Sequence, residues 1–170
     1  MPDSDRRRDF EEYARAAQGR LYRTAYLLCG NAENARDLVQ TTLARLFQYW
    51  RRAQAADCLD GYARTVLTRV YLAERRRGLR DLLHHSRQDP VVAGPQPDLR
   101  VTLLAALAEL PPRARAMVVL RYWEDQSVSA VAHQLRCSES TVKSQCSRSL
   151  ARLREQLGDA HAYAAEVPSR

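Results

Sequence analysis

The first half of the chain places apolar residues at helical spacing in three successive stretches. The first covers residues 10–28, after which Gly30 is a natural left-handed stop and Asn31 is suited to cap a second helix. The second covers residues 32–51 and the third residues 61–77. Strand-like alternation is absent, so this half is predicted to be entirely helical. The positions predicted to be buried are Phe10, Tyr13, Ala14, Ala17, Leu21, Ala25, Leu28, Ala35, Leu38, Val39, Leu43, Leu46, Phe47, Trp50, Ala63, Val66, Leu67 and Val70.

Helical periodicity stops in the middle of the chain. Residues 88–98 contain three prolines and a glycine, and proline removes a backbone donor and disfavours helix in the residue before it. This composition predicts a flexible linker. The sequence therefore predicts an all-α protein in which the linker joins two small helical domains. The predicted boundaries are 1–79 for the first domain, 80–98 for the linker, 99–158 for the second domain and 159–170 for a tail.

In the second half, a break at Pro111-Pro112 is predicted to start a helix that runs to about Trp123. Two further helices are predicted over residues 128–135 and 139–157, and Ser138 is well placed to cap the second of them. Two helices joined by so short a turn form a helix-turn-helix, which is the architecture predicted for the C-terminal domain. Its apolar positions, with those of the preceding helix, are Val101, Leu104, Leu107, Leu110, Val128, Val131, Ala132, Leu135, Val142, Cys146, Leu150, Leu153 and Leu157.

The outer face of the second helix in this motif carries groups that bind DNA. A glutamine can bond an adenine edge at two places, arginine and lysine reach guanine or phosphate, and hydroxyls hold phosphates. The turn has Arg136 where glycine is common in a left-handed backbone, at a cost of about 1 kcal/mol. The residues on the outer face are Ser140, Thr141, Lys143, Ser144, Gln145, Ser147 and Arg148.

The net charge of +7 and a pI near 9.6 favour an anionic partner. Nearly all of the positive charge is arginine, and Lys143 is the only lysine. The first residues are charged, which predicts no signal peptide, and no stretch approaches the ~20 apolar residues that a spanning helix needs. These features predict a cytoplasmic protein that does not bind a membrane.

Residue patterns that carry catalysis or bind metals are absent from the sequence. There is no glycine-rich phosphate loop, no H-E-x-x-H and no spaced carboxylate pair on a buried face, so neither an enzyme nor a cofactor is expected. The cysteines Cys29, Cys58, Cys137 and Cys146 are scattered and form no C-x-x-C pair. They are predicted to be buried free thiols rather than metal ligands.

Several segments resemble the extracytoplasmic-function sigma factors of bacterial RNA polymerase, in particular an actinobacterial branch. In the second half they are Leu-Pro-Pro-Arg-Ala-Arg-Ala at 110–116, Leu-Arg-Tyr-Trp-Glu-Asp at 120–125 and Ser-Glu-Ser-Thr-Val-Lys-Ser-Gln at 138–145. In the first half they are Leu-Tyr-Arg-Thr-Ala-Tyr-Leu-Leu at 21–28 and Ala-Arg-Asp-Leu-Val-Gln-Thr-Thr-Leu at 35–43.

The resemblance implies a factor that binds core RNA polymerase and directs promoter-specific initiation. Its first domain would bind the clamp helices of the largest subunit and open the −10 element, and its second would read the −35 element and contact the flap of the second subunit. An anti-sigma protein is a further expected partner. The residues that match the core-binding motif are Arg36, Asp37, Leu38, Gln40 and Thr41.

For the −10 element, the matching positions are a loop over residues 51–60 and the helix that follows. Capture of an unstacked base needs an aromatic surface, worth about 1–3 kcal/mol per base, and cations to hold the backbone. The candidates are Arg51, Arg52, Tyr62, Arg64 and Arg69, with residues 75–77 near phosphates. The candidates for the −35 element are Ser140, Thr141, Lys143, Ser144, Gln145 and Arg148.

Two other functions remain open on the sequence. A stand-alone helix-turn-helix regulator would account for the second half but would leave the exposed positions around Asp37 unused, and no dimerisation helix is evident. A helical adaptor that binds only protein would leave the face from Lys143 to Arg148 unexplained.

Overall fold

The computed structural model describes the backbone of residues 3–84 and 99–165, with side chains for residues 4–80 and 102–158. The chain divides into two units, Met1–Leu83 and His84–Arg170. Within the described residues all regular structure is helical, which confirms the predicted fold class. Residues 85–98, which include most of the predicted linker, lie outside the described residues.

The first unit contains four helices. They are α1 (Asp3–Cys29), α2 (Ala32–Gln48), α3 (Trp50–Gln54) and α4 (Leu59–His84). Gly30 takes the predicted left-handed conformation, with φ of 80°, and Asn31 caps α2 by accepting the Asn34 N–H at 2.8 Å. The helices α1 and α2 therefore join through only two residues and pack against each other.

The interior of the first unit follows the predicted stripes, with additions. The helices bury mainly small and branched residues. Two large aromatic side chains, Trp50 of α3 and Tyr71 of α4, are buried with them. Phe47 was expected inside and is instead 37% exposed, because the helix breaks two residues later and Trp50 takes the core position. Phe10, Tyr13, Ala14, Leu43 and Val66 are only half-buried. The buried residues are Ala17, Leu21, Thr24, Ala25, Leu28, Ala35, Leu38, Val39, Thr42, Leu46, Trp50, Ala53, Ala63, Leu67, Thr68, Val70 and Tyr71.

Helix α1 begins at Asp3 rather than at Phe10, and three further predicted boundaries in this unit are corrected. The helix predicted over 32–51 is interrupted at Tyr49, whose φ of −111° and ψ of 28° are not helical. The loop predicted over 51–60 is irregular only at residues 55–58, between α3 and α4. Helix α4 continues to His84, so five residues placed in the linker are helical.

The second unit contains α5 (Leu99–Ala108), α6 (Pro112–Val118), α7 (Val128–Leu135) and α8 (Glu139–Ala165). A wider π-helical turn, Val119–Trp123, continues α6 to the predicted end. Pro112 is the first residue of α6, as its fixed φ favours. The helix α8 packs against α5, α6 and α7. It extends beyond the predicted end at 157, so residues 159–165 of the predicted tail are helical.

Arginines satisfy carbonyl groups at helix ends inside the second unit. Arg115 is 5% exposed and donates to the carbonyls of Ala108 and Leu110, just where α5 ends. The last carbonyls of a helix lack intrahelical partners, and a buried one without a partner is costly. Arg113 does the same for Leu135 at the end of α7. These contacts fix α6 against the helix ends around it.

Candidate functional site

The exposed face of α2 carries the predicted core-binding residues. Arg36, Asp37 and Gln40 are exposed and Thr41 is half-buried. Asn31 fixes the start of the helix, and buried residues on its opposite side hold it in place. The helix therefore presents a rigid polar surface with few hydrophobic side chains.

Leu38 does not belong to this exposed face. Its side chain is 0% exposed, so a partner cannot touch it while the unit is folded. Its burial was predicted from helical spacing, and it was counted as a core-binding residue only because the motif is contiguous in sequence, whereas a helix turns each successive residue by about 100°. Leu38 supports the face from beneath, and the corrected surface consists of Arg36, Asp37, Gln40 and Thr41.

A second candidate surface lies on the α3–α4 segment, which we define as residues 50–60, and on the part of α4 that follows it. Arg51 and Arg52 are exposed on α3. On α4, Tyr62 is half-buried and Arg69 exposed, and a separation of seven residues places both on one side of the helix. Arg64 follows Tyr62 by two residues, which turns it to roughly the opposite side of α4. Tyr62 and Arg69 therefore share one side of α4, Arg64 lies on roughly the opposite side, and Arg51 and Arg52 are exposed on the neighbouring α3.

The two ends of the α3–α4 segment contact α1. At its start, the Trp50 ring meets Phe10 edge-on at 5.2 Å between centroids and lies 5.5 Å from Tyr13. At its end, Asp60 accepts a hydrogen bond of 3.0 Å from the Tyr13 hydroxyl. The Arg20 guanidinium also donates to both Asp60 oxygens, at 3.0 and 3.1 Å. Burial, and then the hydrogen bond to Asp60, raise the pKa of Tyr13 well above its usual value, so its hydroxyl stays a donor.

Cys58 is exposed, which corrects the prediction of a buried thiol. Its sulfur accepts the N–H of Gly61 at 3.3 Å, in the first turn of α4. The first amides of a helix need such acceptors, so the Cys58 sulfur caps the N-terminus of α4 as a serine hydroxyl would. Cys146 is buried as predicted, and burial raises the pKa of its thiol. Cys29 and Cys137 are only partly buried.

The region of residues 75–77 also differs from a simple basic patch. Arg75 is half-buried, and its guanidinium lies 5.5 Å above the ring of Tyr71. This cation–π contact holds it to the protein surface. Arg76 and Arg77 are exposed and are the two cations here that extend into solvent.

The helix-turn-helix forms as predicted, from α7 and α8. Arg136 ends α7 in the left-handed conformation, with φ of 52° and ψ of 57°, and the Cys137 N–H reaches back to the Ala132 carbonyl at 3.0 Å. Ser138 caps α8 by accepting the Thr141 N–H at 3.1 Å. Arg113 donates to the carbonyl of Leu135 just before the turn. These bonds set the angle between the two helices despite the missing glycine.

The predicted −35 residues on α8 divide into two groups. The hydroxyls are engaged locally, since the Ser138 oxygen lies 2.9 Å from that of Ser140 and 2.8 Å from that of Thr141, and Ser144 donates to the Thr141 carbonyl at 3.2 Å. Among the residues that the structure describes, neither Lys143 nor Gln145 has a hydrogen-bond or ion-pair partner. The second group can therefore bind DNA without first breaking a bond within the protein.

Arg148 belongs to neither group, because its side chain makes a local hydrogen bond that is weak. It is exposed, and its guanidinium donates along the helix to the Ser144 carbonyl at 3.3 Å. An exposed bond of that length is weak, so the side chain can exchange it for a phosphate.

Sequence reasoning missed three exposed aromatic side chains. Tyr49 is 52% exposed at the junction of α2 and α3, and Tyr122 and Trp123 are 54% and 53% exposed at the end of the π-helical turn. The doublet Tyr49-Trp50 offered a signal, because neighbouring residues on a helical segment seldom both point inward. No comparable signal distinguished Trp123 from the buried Trp50.

The described residues form neither a metal-binding cluster nor a membrane-spanning helix. They contain no group of three or more histidine, cysteine or acidic side chains arranged to hold a metal ion. None of the helices, over the same residues, has the length and apolar character required to cross a membrane.

Comparison with known proteins finds matches to both units. Residues 13–80 match the family model described as sigma-70 region 2, and residues 100–153 match that described as sigma-70, region 4. The chain is 38% identical to the RNA polymerase sigma-E factor of Streptomyces coelicolor, over 88% of this chain and 86% of that protein. It is 34% identical to the ECF RNA polymerase sigma factor SigE of Mycolicibacterium smegmatis, over 87% of this chain and 61% of that protein.

Among solved structures, a similar fold occurs in the sigma factor RpoE of Bartonella quintana, crystallised in complex with the anti-sigma factor NepR. The TM-score is 0.74 and the sequence identity 24%, over 88% of this chain and 97% of that chain. At this identity the likeness concerns the fold.

Proposed function

Since the chain belongs to the extracytoplasmic-function sigma factors, we propose that its two units divide promoter recognition between the α3–α4 segment and the helix α8. As a sigma factor, the protein binds core RNA polymerase and directs transcription initiation from promoters. The observation that carries the proposal is the order of the two matches, a region 2 match on the first unit and a region 4 match on the second. Neither a stand-alone regulator nor a protein adaptor accounts for both.

The exposed face of α2 is the proposed docking site for the clamp helices of the largest polymerase subunit. It offers Arg36, Asp37, Gln40 and Thr41 on a helix that is capped and buried on its other side. A rigid surface is suited to this role because it loses little conformational freedom on binding.

The test of the docking site is a charge reversal, Asp37→Arg, measured as the affinity for core polymerase. We expect the affinity to fall at least about tenfold, since like-charge placement in an interface costs several kcal/mol. Glu12→Arg is the matched control, because it makes the same charge change on an exposed position of α1. Equal affinities for Asp37→Arg and the unaltered protein would rule out this face.

The N-terminal part of α8 is the proposed reader of the −35 element. Gln145 is available for a base, Lys143 and Arg148 for phosphates, and the hydroxyls of Ser140, Thr141 and Ser144 for the backbone nearby. The capped N-terminus of the helix adds positive potential at this end.

Three substitutions on α8 distinguish base reading from backbone attraction. Gln145→Ala should lower the preference for one base pair by about 1–3 kcal/mol. Lys143→Ala and Arg148→Ala should lower the affinity of the holoenzyme for promoter DNA and make that affinity depend less on salt. The affinity for core polymerase is the control and should stay unchanged. If Gln145→Ala leaves the preference at every promoter position intact, α8 does not read bases through this residue.

The proposed −10 surface combines Arg51, Arg52, Tyr62 and Arg69. Their cations attract the DNA backbone, and the half-buried Tyr62 ring supplies a surface for an unstacked base. Tyr62→Ala should slow opening of a duplex promoter but not binding of the −35 element. Equal loss of both activities would indicate a misfolded variant, which a thermal unfolding curve would detect.

Other partners follow from the same arrangement. The exposed Tyr122 and Trp123 supply an apolar patch on the second unit, of the kind expected to meet the polymerase flap. The complex of the Bartonella factor with NepR supports an anti-sigma partner for this chain as well.

The catalysis of RNA synthesis belongs to the polymerase, and the protein would act in the cytoplasm, where that enzyme transcribes the chromosome.

The test of the patch is Trp123→Ala in the holoenzyme. We expect weaker initiation at promoters that depend on the −35 element, with an unchanged affinity of the first unit for the clamp. Unaltered initiation at such promoters would remove the patch from the interface.

A further inference from the structure

The first helix, α1, contacts the α3–α4 segment at both of its ends. At the start of the segment, the Trp50 side chain is 2% exposed and packs on Phe10 and Tyr13. At its end, Asp60 binds Tyr13 and Arg20. Tyr13 therefore takes part in both contacts, with its ring at one end and its hydroxyl at the other.

We propose that Tyr13, Arg20 and Asp60 are positioning residues for promoter opening, which hold the α3–α4 segment in the geometry that receives the −10 element. We call them the Tyr13–Arg20–Asp60 cluster. The inference rests on the proposed function of this segment and extends it to residues of α1. None of the three needs to touch the DNA.

The segment has little structure of its own to maintain this geometry. The helix α3 is five residues long, and isolated helices of that length are unstable in water. Within α3, only Trp50 and Ala53 are buried. Residues 55–58 are irregular and mostly exposed. Without contacts at both ends, the segment would sample many conformations. Ordering it on DNA would then cost conformational entropy and weaken binding.

The chemistry of the cluster suits a fixed position. Arg20 is always charged, and its Nη2 donates to both Asp60 oxygens, while its Nη1 donates to the Ala16 carbonyl of its own helix at 3.4 Å. The guanidinium is therefore held between α1 and the carboxylate. The Tyr13 hydroxyl stays protonated because burial disfavours its ionised form. Arg20 and Asp60 are about half exposed, with side chains 53% and 48% accessible, and such pairs contribute little to overall stability. Their main effect is therefore on where Asp60 lies.

The experiment measures promoter opening by holoenzymes that carry Tyr13→Phe or Asp60→Asn. Phenylalanine keeps the ring against Trp50 and removes only the hydroxyl. A promoter with 2-aminopurine in the −10 element reports base unstacking by fluorescence. We expect opening of the duplex to slow by about three- to tenfold, which is the range for loss of one or two hydrogen bonds. On a template already mismatched over the −10 element, activity should approach that of the unaltered protein, and core affinity should not change.

Two control variants separate positioning from general stability. Glu11→Gln removes the 3.7 Å contact with Arg7 on the same helix and should open the duplex at the normal rate. Val70→Ala creates a cavity in the same unit and serves as a destabilised reference. The positioning role is overturned if the cluster variants slow both templates equally, lose core affinity, or slow opening no more than Val70→Ala at a matched loss of stability.

The failure of this inference can be told from the failure of the proposed function. The double variant Arg51→Ala with Arg52→Ala alters the segment itself. If it slows opening while Tyr13→Phe and Asp60→Asn do not, the segment engages the promoter but the cluster does not position it. If the double variant also opens the duplex at the normal rate, the −10 assignment fails and the positioning role fails with it.

Discussion

The two candidate DNA surfaces are held in place by different kinds of contact. On α8 the contacts are local, since Ser138 caps the helix and the left-handed Arg136 sets its entry within a few residues of the side chains that would meet DNA. The α3–α4 segment is instead held by Tyr13 and Arg20, which lie 47 and 40 residues away from Asp60 in the sequence. A surface built from local contacts forms with its own helix, whereas a distributed one depends on the packing of the whole unit. The two surfaces should therefore respond to different substitutions.

The two tryptophans give the largest expected contrast. Trp50→Ala removes a 2% exposed ring from beneath the α3–α4 segment and should cost about 3–5 kcal/mol in the free energy of unfolding of the first unit. Trp123→Ala removes a ring that is 53% exposed and should cost far less in the second unit. Amide hydrogen exchange measures the loss of stability in each unit. Trp50→Ala should lower amide protection in α1 and α2, whereas amide protection in α7 and α8 should stay unchanged. Similar losses in the two units would contradict the comparison.

Loss of the α8 cap should have a smaller and more confined effect. Ser138→Ala removes the acceptor for the Thr141 N–H and should reduce stability by about 0.5–2 kcal/mol. Promoter affinity should fall with it, because the same hydroxyl organises Ser140 and Thr141. Glu155→Ala, an exposed position on the same helix outside the proposed DNA-binding face, is the control for denaturant unfolding and should change neither quantity.

Arg136 and Gly30 both have a left-handed backbone, and substitutions at the two positions should change stability in opposite directions. Arg136→Gly relieves a strained conformation and should raise stability by about 0.5–1 kcal/mol. Gly30→Ala imposes such strain at a φ of 80° and should lower it by about 1 kcal/mol, although no atom lies within 4 Å of the added carbon. Thermal melting measures both changes. A loss of stability in Arg136→Gly would mean that its side chain contributes contacts that outweigh the strain.

The smallest expected effect is a pH dependence at Tyr13. Burial, and then the hydrogen bond to Asp60, raise its pKa in the folded protein, so the contribution of the protonated hydroxyl to stability is fully present below about pH 10, the ordinary tyrosine value, and is lost as the pH rises through the folded value. Tyr13→Phe lacks this group. The difference in melting temperature between the two proteins should therefore shrink above about pH 10. A constant difference up to the alkaline limit would mean that the hydroxyl is not bonded to Asp60 in solution.

The same contrast explains what could be predicted from the sequence. The helix-turn-helix was predicted with the observed bounds for α7, and the caps Asn31 and Ser138 are confirmed, because each of these features depends on neighbouring residues. The break at Tyr49 was missed, since no proline or glycine marks it and the choice between Phe47 and Trp50 for the core is made by α1. Long-range contacts of that kind leave no periodic signal.

The candidate sites show the same division. The exposed polar residues of α2 and α8 could be read from helical spacing, and Leu38 was included only because the motif was taken as a continuous string. The role of Asp60 could not be read in this way, because its partners lie on another helix. The exposure of Cys58 was missed for a related reason, since its capping bond to Gly61 depends on where α4 begins.

The two-residue connection at Gly30 and Asn31 has a consequence for where transcription begins. So short a joint prevents α1 and α2 from moving independently, and the two helices pack along each other. The surface proposed for the enzyme is on α2, and the contacts proposed to orient the melting region are on α1. The protein would thus hold the docked enzyme and the melting region at a fixed spacing from each other, so that the place where the duplex first opens would be set by docking itself.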